Sequence, residues 1–242
     1  MLNITQIKVV RIFTSSTFTD MLMERNTLME WVYPKIKEYC KEKHGLEFQV
    51  VDMRWGGRDE STDDHLTTAI CLEELDHCKR VSVGPSFCLL VGQKYGYRPL
   101  PHSLAGDQFE HMVQGLESLN MGAGVKLLRQ WYVKDLNCVP VSYILQPIST
   151  HLPDFFNSRN PRLQTQDQEK WFDTLNQLHK YILKGSEILK HAEKISESDF
   201  QQLRMSVIER EFVKGIVEAK DTKDDCFAFV RLVELFCRYF IR

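Results

Sequence analysis

Hydrophobic and polar positions change period several times along the chain, and each change marks an element. "KVVRIFT" (Lys8–Thr14) is a short β-branched run, too continuously apolar for a strand with one wet face. From Thr19 the spacing becomes helical, with Met21, Leu28, Trp31, Val32 and Ile36 on roughly one face. Pro34 is expected to kink that helix and Gly45 to end it. "EFQVVDM" (Glu47–Met53) predicts a second strand. The polar loop "RWGGRDESTDD" follows, then a helix over about 64–80. "SFCLLVG" (Ser86–Gly92) predicts a third strand and "VSYILQP" (Val141–Pro147) a fourth. A helical pair, broken at "NMGAG", fills roughly 106–135 between them. Strands alternating with helices predict βαβ units, hence an α/β fold whose parallel sheet carries helices on both faces.

Beyond Pro147 the texture shifts. "STHLPDFFNSRNPRL" is a loop, two long helical stretches follow at about 166–190 and 197–219, and "CFAFVRL" (Cys226–Leu232) predicts a fifth strand returning to the sheet. The expected organisation is an α/β domain over 1–150 and a helical extension over 151–242. The apolar ending "VELFCRYFIR" carries no stop signal and reads as the edge of a longer protein.

Composition narrows the class. The chain has 242 residues, 43% of them hydrophobic and 26% charged, as expected for a globular α/β protein. A formal charge of -2, with no block of Lys and Arg, argues against a nucleic-acid partner. The apolar runs are too short to span a bilayer, and the first residues lack a signal-peptide pattern. Seven scattered cysteines without a C-x-x-C pair read as reduced thiols, which places the protein in the cytoplasm. Cys71, His77, Cys78 and His65 lie near one another in sequence. Cys71 and Cys78 are nevertheless expected in the core, since no second ligand pair follows, and no metal site is assigned.

The generic catalytic motifs are missing. There is no G-x-x-x-x-G-K-[ST] and no G-x-S-x-G, and "GAGVKL" has Leu127 where a dinucleotide fingerprint needs its third glycine. Position remains informative, because open α/β sheets bind ligands beyond the carboxyl ends of their strands. Three segments should meet there: "TSSTF", "RWGGRDE" and "GQKYGYRPLPHSLAGDQFE". Ser15, Ser16 and Thr17 offer hydroxyls, Arg54 and Arg58 offer charge, and Phe18, Trp55 and Tyr95 offer faces for a base. The competing reading is that Thr19 or Asp20 caps the following helix and the hydroxyls satisfy a turn.

"RIFTSSTFTDMLMERNTL", "VVDMRWGG", "ICLEELDHC" and "LLVGQKYGYRP", in this order, resemble the N-terminal TIR-like domain of NACHT and WD-repeat proteins. "LLRQWYVKDLNCVPVSYILQPIS" and "SVIEREF" extend the resemblance over nearly the whole chain. The resemblance implies a flavodoxin-like sheet and a chain cut ahead of a NACHT module, with WD-repeat propellers further on. It also implies self-association in the full-length protein. TIR domains are either assembly modules or hydrolases of the nicotinamide–ribose bond of NAD, which use one glutamate at the start of the helix after strand three. Strand order carries that role to Glu110 in "GDQFEHM" rather than to Glu73 or Glu74, which precede strand three. A fixed carboxylate there would stabilise the ribosyl cation as the bond breaks. Against this, Asp107-x-x-Glu110 fits a capping box in which Glu110 folds back on the Asp107 amide.

The first expectation is therefore an interaction and regulatory module, with a nucleotide held in the strand-end cleft. The alternative is an NAD glycohydrolase with Glu110 as its carboxylate, and a weaker one is a nucleoside-processing enzyme of the deoxyribosyltransferase kind. NAD is the one small molecule implied, as substrate or ligand.

Overall fold

In chain order the strands are β1 (Val9–Ser15), β2 (Glu47–Val51), β3 (Phe87–Val91), β4 (Ser103–Ala105), β5 (Tyr132–Asp135), β6 (Ser142–Leu145) and β7 (Cys226–Val230). The structure is a computed structural model and describes residues 8–54, 62–219 and 222–232. The described residues fall into two compact units. One draws on Met1–Trp55, Cys71–Tyr97 and Ile208–Arg242, the other on Gly56–Ile70 and Arg98–Val207.

In the first unit β1, β2, β3 and β7 form a parallel sheet in the order β2-β1-β3-β7. This is the flavodoxin-like order, and it brings the expected fifth strand into the sheet beside β3. Both faces are covered at β1 and β3, which explains why these two strands read as nearly unbroken apolar runs. Val10, Ile12, Cys88 and Leu90 face Met21, Tyr33 and Cys40. Phe13, Phe87 and Leu89 face Cys71, Leu75 and Cys78 of the helix Thr67–Val81, so the two cysteines are core residues as expected.

The helical segment after β1 is divided around Pro34. An α-helix Leu22–Thr27 passes into a π-helical turn Leu28–Val32, and the α-helix Tyr33–His44 restarts with Pro34 in its first turn. Gly45 ends it at φ 62, with the amides of Gly45 and Leu46 bonded back to Lys41 and Cys40. A π turn carries extra residues, so side chains beyond Leu28 rotate off the face expected from a 3.6-residue period. Trp31, expected on the apolar face, is accordingly 66% exposed.

The second unit holds a three-stranded antiparallel sheet in the order β4-β6-β5. The strand expected at Val141–Pro147 forms as β6, but it belongs to this sheet and not to the parallel one. The connection from β5 to β6 is only residues 136–141. A parallel crossover needs roughly a dozen residues or more, so a short link returns the chain antiparallel. The helical pair appears as Gly106–Ser118 and Gly122–Trp131, and its expected last turn is β5 instead.

The helix Pro161–His191 starts ahead of the expected residue 166. Asn160 accepts from the Leu163 amide and Pro161 occupies the first turn, which together set the start there. The stretch expected as one helix over 197–219 is broken into Glu197–Gln202, Val207–Phe212 and a π turn Val213–Val217. Phe109, Met112, Leu116, Leu128, Trp131, Leu178 and Ile182 fill the core of this unit.

Close helix approach in the second unit depends on glycine. A Cβ on Gly185 would stand 2.0 Å from Met112 Cγ, near the root of a fully buried side chain. Gly185→Ala is expected to destabilise the protein by about 1–3 kcal/mol through overpacking, read from the urea midpoint at unchanged m-value.

Candidate functional site

The strand order changes direction between β1 and β3, and their carboxyl ends define the switch point of the parallel sheet. β1 delivers Thr14, Ser15 and Ser16 there, all buried. Their hydroxyls are already engaged. Thr14 pairs with the Tyr33 hydroxyl at 2.7 Å, and Ser15 donates to Glu211 at 2.5 Å. Ser16 accepts from Arg25 at 2.7 Å and donates to the Thr17 carbonyl, while Thr17 donates to Asp20.

Arg25 is the organising cation. Its side chain is 1% exposed and forms a fork onto Asp52, with Nη2 at 2.6 Å from Oδ1. It also donates to the Thr14 carbonyl at 2.9 Å and lies 5.2 Å from the Phe18 ring centroid. Arg54 closes over the same carboxylate at 2.8 Å and reaches Asn26 at 2.9 Å. Burial alone would raise the Asp52 pKa, but hydrogen bonds from Arg54 and Arg25 outweigh it and hold the carboxyl below its ordinary value.

Asp20 does not cap the following helix, and neither does Thr19. The residue before that helix is Met21, which makes no side-chain capping bond. Asp20 instead accepts the amides of Gln93 and Lys94, at 2.9 and 3.0 Å, from the loop after β3. Tyr95, in the same loop, donates to Glu209. The structure thus brings Ser15, Ser16, Thr17, Phe18, Arg54 and Tyr95 into the first unit, at the strand ends or in the loops that follow them. Trp55 and Arg58 lie outside the described residues.

Glu110 belongs to the second unit. The capping box is not formed: Glu110 pairs with Arg129 at 2.9 Å and accepts from Tyr143. Hydrogen bonds from Tyr143 and Arg129 hold its carboxyl below the ordinary value despite partial desolvation. It lines a cavity of about 490 Å³ together with Gly106, Asp107, Lys134, Pro140, Val141 and Tyr143. The residues missed from sequence are Arg25, Asp52 and Glu211, buried charges that a hydrophobic pattern assigns to water.

The arrangement defines a flavodoxin-order α/β module whose strand-end loops are tied together by its own charged side chains. Residues 11–115 match the family described as Domain of unknown function (DUF4062). The chain is 32% identical over 203 residues to the human NACHT and WD repeat domain-containing protein 2, covering 84% of this chain and 12% of that protein. It is 38% identical over 124 residues to the mouse NACHT domain- and WD repeat-containing protein 1, covering 51% of this chain and 8% of that protein. The rat Telomerase protein component 1 is 32% identical over 105 residues, 43% of this chain and 4% of that protein. No solved structure matches the chain. The chain is a homologue of the NACHT and WD repeat domain-containing proteins, with a DUF4062 domain at its N-terminus. It spans only a small part, about an eighth, of the first of these relatives.

Proposed function

We propose that this chain is a TIR-like regulatory and interaction module of a cytoplasmic NACHT-type signalling protein, one that holds a nucleotide at the strand ends without cleaving it. Its partners in this reading are the downstream NACHT and WD-repeat domains and further copies of the full-length protein. The observation that carries the reading is the Arg25–Asp52–Arg54 cluster with its hydroxyl neighbours. Among the described residues these strand-end groups are bonded to one another, as in a rigid scaffold, which favours a module over a catalyst. The homology to NACHT and WD repeat proteins supports the regulatory part of the reading.

One observation favours a second reading, in which Glu110 is the carboxylate of an NAD glycohydrolase. Glu110 is held ionised at the edge of a cavity of about 490 Å³, as a group that stabilises a ribosyl cation must be. Yet Arg129 and Tyr143 occupy its oxygens, which leaves them poorly placed to hold the ribose hydroxyls. The test incubates the protein, clustered on a surface at high density, with NAD beside Glu110→Ala. The expected result is no nicotinamide from either protein. Nicotinamide released by the wild type and lost in Glu110→Ala would replace the first reading with the second.

A further inference from the structure

The loop after β3 presents two consecutive backbone N–H groups to one point. Gln93 and Lys94 donate from 2.9 and 3.0 Å to the same oxygen, Oδ2 of Asp20. The Thr17 hydroxyl holds the other oxygen, and the Lys94 ammonium stands on the Thr19 hydroxyl at 2.8 Å. Consecutive amides aimed at one acceptor form a concavity for an anion, and a lysine beside it adds the compensating charge. Gln93, Lys94 and Thr19 are exposed, so the concavity opens to solvent. Its place is the switch point of the β2-β1-β3-β7 sheet, where open α/β folds take their ligands.

Gly92 makes an independent contribution. A Cβ there would lie 2.3 Å from Asp20 Oδ2 and 2.8 Å from Met21 Sδ. A side chain there would have to push the Asp20 carboxylate and the Met21 sulfur aside. Asp20 is ionised where it sits: burial would raise its pKa, but the Thr17 hydroxyl and the two amides lower it further. The loop therefore already holds an anion, supplied by the chain itself.

We infer that the Gln93 and Lys94 amides are the phosphate site of a nucleotide carrying a pyrophosphate, and that Asp20 occupies this site as a built-in competitor. The inference rests on nucleotide binding at this end of the sheet. A phosphate oxygen in the place of Asp20 Oδ2 would receive the same two N–H bonds, with the Lys94 ammonium and the Thr17 and Thr19 hydroxyls around it. Phe18 and Tyr95, both exposed, are the aromatic faces nearest in sequence for the base. Asp20 acts as a latch, since the phosphate enters only when the carboxylate leaves. A latch closed in about nine molecules of ten weakens apparent affinity about tenfold.

The experiment titrates inorganic pyrophosphate, ADP and NAD into the wild type, Asp20→Ala and Asp20→Asn, following thermal midpoint and calorimetric heat. Asp20→Asn keeps the shape and an acceptor while removing the charge, so it reports even if the alanine variant does not fold. The expected result is pyrophosphate binding about tenfold or more tighter in the variants than in the wild type, with ADP or NAD tighter still. Folded variants that bind no pyrophosphate, or bind it no better than the wild type, overturn the latch. Pyrophosphate binding without any gain from the nucleoside overturns the nucleotide reading while leaving the anion site standing. Nucleotide binding of equal strength in all three proteins does the reverse.

Discussion

Arg25→Ala is expected to lower the stability of the protein by about 3–5 kcal/mol, the range found when one partner of a buried ion pair is removed. The size follows from what is stranded. Asp52, with a side chain 4% exposed, loses the fork that faces it and keeps only Arg54. The Thr14 carbonyl and the Ser16 hydroxyl lose their donors in the same step, and both residues are buried. Each unsatisfied buried polar group costs about 1–3 kcal/mol by itself. Arg25→Lys restores the charge but not the planar fork. A single ammonium cannot reach Asp52, Thr14 and Ser16 together, so an intermediate loss is expected. Urea unfolding of the two variants beside the wild type measures this, with the m-value checking that the same surface unfolds. An Arg25→Ala loss below about 1 kcal/mol would mean that the cluster is not the strut described above.

The contrast between what the sequence carries and what it hides has a physical origin. β1 and β3 are legible because strands buried on both faces demand nearly unbroken apolar residues, as in "KVVRIFT" and "SFCLLVG". β7 is legible from its apolar, aromatic run "CFAFV", although Phe227, Phe229 and Val230 are exposed and its partner β3 lies far upstream. The sheet to which β6 belongs is not legible from its own residues. It depends on β5, whose "YVKD" is too short to show a period. The charged core is hidden more deeply. Periodicity sends Arg and Glu to water, yet Arg25 stands four residues after the buried Met21 and Glu211 three after Ile208. A charge at i+3 or i+4 from a core residue, on the inward stripe, was the signal available. Asp20 shows the other limit: capping rules weigh local partners, while its partners come from a loop more than seventy residues on.

Glu211→Gln is expected to make the protein more stable at pH 8 by about 3 kcal/mol. Glu211 lies in the helix Val207–Phe212, which leads toward β7, and it is 4% exposed. The groups facing it are the Ser15 hydroxyl from β1, Arg25 from the helix after β1 and Cys71 from the helix Thr67–Val81. None of them offers a free cation, because Arg25 is committed to Asp52. Burial therefore dominates, and the carboxyl is pushed up from 4.5 to about 7 despite the Ser15 bond and the field of Arg25. The folded state binds this proton more tightly than the unfolded chain does. Its contribution to stability is fully present below about 4.5 and is lost as pH rises through about 7. Glutamine is neutral throughout and keeps an oxygen to accept from Ser15, so the variant should lack that decline. The difference between the two proteins should be small at pH 4.5 and should widen toward pH 8, as read from urea midpoints across the range. Parallel pH profiles for wild type and variant would show that Glu211 is ionised in the folded protein, beside a compensating cation not found among the described residues. Hydrogen exchange of the β7 amides should follow the same curve. Glu211 is bonded to Ser15 of β1, β1 pairs with β3, and β3 pairs with β7 at the sheet edge.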